Sequence, residues 1–525
     1  MPDVTLWNRF VNLLDAHPWI LITFIAHFAI LGAVAYLILL ERWTASWVQD
    51  RLGPNRVGLG FGILPILKDM HMFGLGQPLA DGMKFLLKED YRSKAVDTVL
   101  FTLAPMMMIT VVILSIAVLP WGGIKQSTRD LDLVASTSAE TAPQTPDKLE
   151  EKINAYLPSD ASNVTHNERV ETHQDADGVW RQHLISTVTY RYNFQTASLN
   201  IGVLFVLAAL SLAVYGVVIG GWASNNKYSF LGALRATANM ISYEIPLGLA
   251  ILCIVLIYGT LNLEDIVNKQ AHYWWHFIPA WNIFSQPITF ILFLICMHAE
   301  ANRAPFDTAE AEQELVGGYH TEYSSMRFAL FFLGEYAGMI TTSVVCVALF
   351  FGGWHFPFVD SIVCWLVNAI ASGMHWNIAP AFVDATNPAV TNSLVVCVVR
   401  ALVFFVKSLL IVFVFMWVRW SLPRFRFDQI MNLAWRALIP ISLGLLMVTA
   451  IVVFLMGGAA GQNQYLPIST AFVLLLSNGA LVAITMVIST LIPPGPDTNR
   501  KILVPGSRFL TAPAAGGVAI APSVN

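Results

Sequence analysis

Apolar runs of about 20 residues recur along most of the chain, separated by polar segments of varying length. A helix needs roughly 20 mostly apolar residues to cross a hydrocarbon core about 30 Å thick. The stretches that meet this length are residues 18–40, 97–120, 199–222, 240–261, 279–298, 328–352, 393–418, 437–457 and 467–492. The pattern therefore predicts an all-α polytopic membrane protein with about nine transmembrane helices.

Lysine and arginine concentrate on one side of these predicted spans. The loops and tail that hold 19 of them are residues 41–96, 223–239, 299–327, 419–436 and 493–525. The opposite side has only Arg9 and Lys269 outside its one long insertion. Because short loops rich in lysine and arginine stay in the cytoplasm, we expect the N-terminus outside and the C-terminus inside.

Two polar insertions lie on the predicted outside. In residues 124–197, Thr145-Pro146 predicts a helix to about Tyr156, and the turn at 175–178 predicts a β-hairpin. A small helix-plus-hairpin domain is one interpretation, and a disordered loop is the other. The second insertion, residues 353–392, has no lysine or arginine, and its short apolar run predicts an interfacial helix.

These features divide the chain into six parts. They are residues 1–123 (two spans with the inside loop 41–96), 124–197 (polar insertion), 198–352 (spans three to six with the inside loop 299–327), 353–392 (second insertion), 393–492 (spans seven to nine) and 493–525 (inside tail).

Composition and charge exclude several classes of protein. With 56% apolar and 12% charged residues, the chain is not a soluble globular protein. The net charge of −4 gives no reason to expect a nucleic-acid partner, and the insertion 124–197 accounts for all of it. The five cysteines lie far apart without a Cys-x-x-Cys pair, so we expect no metal site and no disulfide framework in this chain.

The first inside loop has the charge density of a soluble protein. It opens with Glu41-Arg42-Trp43 and continues with a basic turn that contains Arg51 and Arg56. Residues 77–90 predict an amphipathic helix on the membrane surface, with Asp81 and Lys84 on its polar side. Opposite charges beside a tryptophan at the headgroup level favour a polar mouth for an amphipathic ligand. Positive-inside anchoring is the simpler alternative.

The inside loop 299–327 has a net charge of −4, which is unusual for the positive side. Its acids are Glu300, Asp307, Glu310, Glu312, Glu314 and Glu322. In a helix Asp307, Glu310 and Glu314 would share a face, whereas in an extended segment Glu310, Glu312 and Glu314 would. We expect the pKa of at least one of these acids to rise towards neutrality, as a proton relay requires. A solvated acidic loop is the alternative.

Two further acids, Glu244 and Glu335, lie inside apolar spans. Such residues face a bundle interior and are candidates for functional sites, although a protonated glutamic acid bonded to a neighbouring helix is the structural alternative. Arg400 and Lys407, seven residues apart on one face of the seventh span, are candidate counter-charges for these acids. Arg400 could instead reach the outer membrane surface.

Five segments resemble, in order, the signature segments of the H-type membrane subunit family of bacterial NADH:quinone oxidoreductase, respiratory complex I, whose mitochondrial counterpart is subunit 1. They are ERWTASWVQDRLGPNRVG, QPLADGMKFLLKED, GWASNNKYSFLGALRATANMISYEIPLGL, AEANRAPFDTAEAEQELVGGYHTEYSSMRFALFFLGEY and LPRFRFDQIMNLAWR.

This resemblance implies a subunit of an NADH:quinone oxidoreductase that forms the quinone chamber and begins the acidic path to the proton pumps. The implied chamber residues are Glu41, Arg42, Trp43, Arg51, Arg56, Asp81, Lys84, Arg303, Arg424 and Arg426. The implied proton-path residues are Glu244, Glu300, Asp307, Glu310, Glu312, Glu314, Glu322 and Glu335. Quinone would enter beside a tilted first helix.

The resemblance also implies the substrate and the partners. Ubiquinone or menaquinone is the substrate, while NADH, FMN and the iron–sulfur clusters bind to partner subunits. Hydrophilic subunits would dock on the inside, and small and antiporter-like subunits would pack laterally. The acidic outside insertion favours the bacterial inner membrane.

Three other functions remain open from the sequence. The first is the homologous membrane subunit of a proton-pumping hydrogenase-type complex, and the second is a stand-alone cation/proton antiporter. A purely structural anchor is the third.

Overall fold

The structure is a computed structural model of the chain. The structure describes residues 18–57, 72–135, 162–174, 180–275, 278–310, 312–356, 394–456 and 466–491. The chain divides into two compact units, residues 1–479 and 480–525. All the site features described below belong to the first unit.

Helices dominate the described residues. The helices before the third span are α1 (Pro18–Val48), α2 (Gln77–Leu87) and α3 (Thr98–Val118). The next group is α4 (Gly202–Ala223), α5 (Lys227–Tyr258), α6 (Leu263–Lys269), α7 (Asn282–Ser285) and α8 (Pro287–Glu300). The remaining helices are α9 (Glu312–Leu315), α10 (Ser325–Phe350), α11 (Leu394–Ser421), α12 (Phe427–Asn432), α13 (Ile439–Leu455) and α14 (Ile468–Leu491). A π-helical segment, Leu433–Leu438, joins α12 to α13.

Eight helices among the described residues are long and apolar enough to span a membrane, which confirms the polytopic all-α prediction. The predicted stretch 279–298 differs from the rest. There the backbone leaves the helical conformation at Gln286, and Pro287 begins α8, which has only 14 residues. Such a helix is about 21 Å long, shorter than the hydrocarbon core.

Among the eight helices that are long and apolar enough to span a membrane, α10 has the largest share of buried residues. It packs against α1, α2, α3 and α11. Small residues let its neighbours approach closely, since a Cβ atom added at Gly334 would lie only 3.1 Å from the Met108 Cβ. At the start of α10, the Ser325 hydroxyl donates to the Phe85 carbonyl at 2.8 Å. The helix that carries Glu335 is therefore enclosed by other spans.

Polar caps fix where two of the spans begin. The Asp97 side chain accepts the backbone N–H groups of Val99 and Leu100 at the start of α3. Asn226 does the same for Tyr228 at the start of α5. As a result, α5 begins at Lys227, well before the apolar stretch predicted from residue 240, and it continues through Pro246 to Tyr258.

The first polar insertion, residues 124–197, contains a three-stranded antiparallel sheet. Its strands are β1 (Ile124–Ala135), β2 (Ser162–Gln174) and β3 (Trp180–Asn193), with β3 in the centre. Strands β2 and β3 confirm the predicted hairpin, whereas β1 was not predicted. The predicted helix at 145–156 lies outside the described residues, as does nearly all of the second insertion, of which only 353–356 are described. A second, two-stranded sheet pairs β4 (Tyr273–Trp274) with β5 (Ile278–Pro279).

Candidate functional site

Glu41, near the inner end of α1, is the meeting point of three helices. Its side chain is 7% exposed. One carboxylate oxygen accepts the Tyr336 hydroxyl of α10 at 2.5 Å, and the other pairs with Arg419 of α11. The predicted entrance residue is thus buried between α1, α10 and α11.

The neighbouring residues turn towards the membrane surface. Arg42 forms an ion pair with Asp81 of α2 at 3.1 Å, and the Trp43 indole donates to the Pro54 carbonyl at 3.1 Å. Lys84, also on α2, is exposed. The structure therefore brings four predicted chamber residues together around the end of α1.

Helix α2 is the amphipathic helix predicted from residues 77–90. It ends at Leu87 because Lys88 is extended, and none of its residues is buried. Its exposed apolar residues are Leu79, Met83, Leu86 and Leu87. Arg51 and Arg56 lie in the turn after α1, and both are exposed at their positions.

A buried ion pair and two tyrosines lie next to Glu41, which contacts one of the tyrosines. Arg303 is 4% exposed, and its Nη2 lies 3.6 Å from the Glu335 Oε2. The same guanidinium stacks over the Tyr336 ring, 4.2 Å from the centroid. Tyr319 donates to Glu335 at 2.6 Å, and burial, then the Glu335 charge, raises the pKa of this tyrosine. Polar side chains thus run without a break from Arg419 through Glu41 to Tyr319.

The acidic loop places two of its acids beside this chain. Asp307 accepts the Glu310 backbone N–H at 3.3 Å and pairs with Arg424 at 3.2 Å. Burial, then the Glu310 charge, raises the pKa of Asp307 to about 6, although Arg424 opposes that shift. Burial and the Glu335 charge also raise the pKa of Glu310. These raised pKa values match the expectation from the sequence.

A cavity of about 40 Å³ separates Glu300 from Glu335. Both residues line it, together with Asn302 and apolar side chains of α3, α4 and α5 such as Met108. A site of roughly 10–15 Å³ on this measure holds one water molecule when polar partners are present. The cavity therefore has room for water between the two acids. Glu244, on α5, accepts a hydrogen bond from Ser211 of α4.

Of four other predicted site residues, three have local partners instead. Glu314 pairs with Arg235 at 2.5 Å in an exposed position, and Glu322 accepts the Asn226 amide at 2.6 Å. The remaining two are Arg426, which caps α12 together with Gln429, and Glu312, whose backbone begins α9 and whose side chain lies outside the described residues.

Lys407 is not a counter-charge for the buried acids, which corrects that prediction. Its ammonium donates to the carbonyls of Phe351, Gly353 and His355 at 2.9, 3.0 and 2.6 Å. It also lies 4.5 Å from the Trp281 ring centroid. Burial, then the charges of Arg400 and Lys407, lowers the pKa of His355 to about 3. Lys407 therefore binds the chain just after α10.

Sequence reasoning missed four residues of the site. Tyr319 and Tyr336 stand in the recognised motifs, but nothing in the pattern indicated that they contact acids. In the sequence, Arg419 was treated only as one of the cations of the predicted inside loop 419–436. Asn239 of α5 positions the acidic loop by donating to the carbonyls of Ala299 and Phe306 at 3.2 and 3.3 Å.

Comparison with known proteins identifies the family. The model of the NADH dehydrogenase family matches residues 21–140 and 183–450. The chain belongs to this family. It is 36% identical over 415 residues to a subunit of NADH-quinone oxidoreductase, designated H 1, of Cytophaga hutchinsonii, covering 79% of this chain and 90% of the relative. The corresponding subunit of Koribacter versatilis, designated H 2, is 37% identical over 433 residues, covering 82% and 94%.

These relatives show that the chain is a membrane subunit of NADH-quinone oxidoreductase, with the other subunits of that complex as its partners. The names favour this enzyme over the hydrogenase-type complex, the antiporter and the structural anchor. The family match omits residues 141–182, which contain all of β2. The three-stranded sheet is therefore built partly from residues that lie outside the family match.

Proposed function

We propose that this subunit forms the quinone chamber of NADH-quinone oxidoreductase and the first part of the path that couples quinone reduction to proton pumping. The observation that carries the proposal is the unbroken chain of buried polar groups from Glu41 to Glu335. Such groups are expensive in a membrane, and they concentrate where protons or ions move.

The quinone end of the path is the region around Glu41, Arg42 and Trp43. The Arg42–Asp81 ion pair supplies polar groups for a quinone ring, while exposed apolar side chains of α2 can meet its tail. Ubiquinone or menaquinone is the substrate. The electrons come from NADH through FMN and iron–sulfur clusters, all of them on partner subunits that dock on the inside loops.

The coupling step begins with a change of charge near Glu41 when the quinone is reduced. Tyr336 links Glu41 to Arg303, because its hydroxyl donates to the carboxylate and its ring lies under the guanidinium. Arg303 in turn faces Glu335. A change in the protonation of Glu41 therefore alters the field that Glu335 experiences over two contacts.

Water in the cavity between Glu335 and Glu300 carries the proton onward, and Glu244 receives it on the side of α4 and α5. The loop acids Asp307 and Glu310 act as a store beside Glu335, since burial and neighbouring carboxylates raise the pKa of both acids and so favour the protonated form. Small and antiporter-like subunits beside the spans complete the pump.

The membrane in this proposal is the bacterial inner membrane, with the N-terminus outside and the C-terminus inside. The excess of lysine and arginine in the loops around α2 and in the loop before α12 supports this orientation.

The test uses the assembled complex with Glu244→Gln and Glu335→Gln combined. Because Glu335→Gln leaves the buried Arg303 without its partner, both readouts are taken per assembled complex. NADH oxidation by quinone should continue while the number of protons moved per electron pair falls towards that of a complex lacking this path. Glu314→Gln is the matched control, because Glu314 is exposed and paired with Arg235. An unchanged proton-to-electron ratio in the double variant would exclude the proposed path.

A further inference from the structure

A pocket of about 470 Å³ opens where α4 ends and α5 begins, at the membrane-surface end of both spans. Asp97, Trp222, Asn225, Lys227 and Phe230 line it. Ligand sites typically have volumes of about 300–1,000 Å³. None of these residues belongs to the path from Glu41 to Glu335, so this pocket is a separate feature of the subunit.

The pocket presents one positively and one negatively charged side chain, and neither forms an ion pair within the described residues. Within the part of the chain that the structure describes, the Lys227 ammonium makes no hydrogen bond or ion pair. One oxygen of Asp97 accepts the N–H groups of Val99 and Leu100 at 3.1 and 3.2 Å, and the other has no protein donor among the described residues. The pocket can therefore receive a ligand that carries both charges.

Aromatic side chains form the rim on the membrane side. Trp222 is 65% exposed and Phe230 is 37% exposed, and their rings meet edge to face at 5.7 Å. Tryptophan is enriched at the headgroup level of membranes, where its ring lies among lipid glycerol groups. The rim thus lies where the polar and apolar parts of a lipid join.

An apolar stripe on α4 continues from this rim. Tyr215, Leu212 and Leu204 are all exposed and follow Trp222 at intervals that keep them on one side of the helix. Eighteen residues of helix cover about 27 Å, which is longer than one acyl chain needs in its own leaflet. The surface below the pocket therefore offers a continuous apolar track.

We propose that this pocket binds a zwitterionic phospholipid of the phosphoethanolamine class. The phosphate binds Lys227, the ammonium group binds Asp97, and an acyl chain lies along the α4 stripe. Charge-assisted hydrogen bonds are stronger than neutral ones, so both ends of the headgroup contribute. An anionic headgroup without an amine would meet repulsion from Asp97, and a choline headgroup has no N–H to donate.

The bound headgroup would also brace the turn between α4 and α5. In that turn Asn225 donates to the Ala95 carbonyl at 3.2 Å, and Asn226 donates to Glu322 at 2.6 Å. The site stands independently of the proposed proton path.

The experiment measures lipid binding to the purified, delipidated complex by native mass spectrometry with titrated phosphatidylethanolamine, phosphatidylglycerol or phosphatidylcholine. The wild-type complex should bind phosphatidylethanolamine most tightly. Lys227→Gln should weaken its binding roughly three- to tenfold, the range for one partly exposed charged hydrogen bond. Asp97→Asn keeps a residue that caps helices well, and it should bring phosphatidylglycerol up to the affinity of phosphatidylethanolamine. Lys88→Gln, an exposed lysine away from the pocket, is the control.

Two additions separate this proposal from other occupants. Millimolar inorganic phosphate should not displace the lipid, and displacement would mean a phosphate site without lipid selectivity. If Lys227→Gln instead releases another subunit from the complex while lipid binding is unchanged, the pocket is a protein interface and the proposal is wrong. Equal affinities for the three lipids in the wild-type complex would also overturn it.

Discussion

Replacing Arg303 with methionine removes the positively charged partner of Glu335 in the buried ion pair. The Arg303 side chain is 5% exposed and that of Glu335 is 9% exposed, so bulk water does not hydrate Glu335 as it would an exposed carboxylate. Breaking a buried ion pair from one side costs about 3–5 kcal/mol, because the remaining charge loses its partner without regaining its hydration. We therefore expect Arg303→Met to reduce strongly the amount of assembled complex in the membrane.

The matched control is Arg235→Met. Its ion pair with Glu314 is shorter, at 2.5 Å compared with 3.6 Å for Arg303 and Glu335, but the two side chains are 32% and 57% exposed. Exposed ion pairs contribute about 0.2–1 kcal/mol. Distance alone predicts the larger defect for Arg235→Met, whereas burial predicts it for Arg303→Met.

A second substitution tests the cause of the defect. Glu335→Gln in the Arg303→Met background removes the unpaired charge and keeps an amide oxygen that can accept the Tyr319 hydroxyl, now 2.6 Å from Glu335. The double variant should therefore recover much of the assembled complex, measured as the intensity of the complex on native gels and its half-life at elevated temperature. The reasoning is refuted if Arg303→Met assembles as well as Arg235→Met, or if adding Glu335→Gln makes the defect worse.

Three further predictions concern pH, the outer end of α10 and the quinone entrance. The pKa of Asp307 is about 6 in the folded protein and 3.8 ordinarily, so the stability gained from its retained proton is present below about pH 4 and is lost as the pH rises to about 6; Asp307→Asn should flatten the dependence of the heat-inactivation half-life on pH across that window, and an unchanged slope would contradict this. Lys407→Met should destabilise the complex by about 3 kcal/mol or more, because three carbonyls lose a charged donor, whereas Lys407→Arg should retain most of the stability in the same assay. Arg42→Gln breaks the pair with Asp81 and should raise the KM for quinone without changing the proton-to-electron ratio; an unaltered KM would place the quinone elsewhere.

The lengths of apolar runs were sufficient to predict most spans but not their polar ends. Helix α5 begins at Lys227 because Asn226 caps it, although its first two turns are too polar to be predicted as part of a membrane span. The opposite error arose at Gln286, where a single residue outside the helical region shortens an apolar stretch. Strand β1 was not predicted because apolar and polar residues do not alternate regularly along it. Its backbone pairing with β3 stabilises a strand that the local pattern does not indicate.

The acids of the site were predictable because a charge in an apolar run is conspicuous. Their partners were not, since Tyr336 lies 295 residues from Glu41 along the chain and neither residue specifies the other. The spacing of Arg400 and Lys407 correctly places them on one helix face, but it does not say which neighbour that face meets. For Lys407 the neighbour is a set of backbone carbonyls, which leave no trace in a sequence.

In the proposed coupling path, the two attachments of α10 limit how this helix can transmit a signal. Ser325 ties its first turn to α2, and Lys407 holds the carbonyls of Phe351 and Gly353 just beyond its last turn. Because hydrogen bonds hold both ends of α10, the helix cannot slide along its axis without breaking the bonds at one end. Glu335 and Tyr336 sit between them, so the structure favours signalling by side-chain rotation and redistribution of charge over a piston movement of the helix.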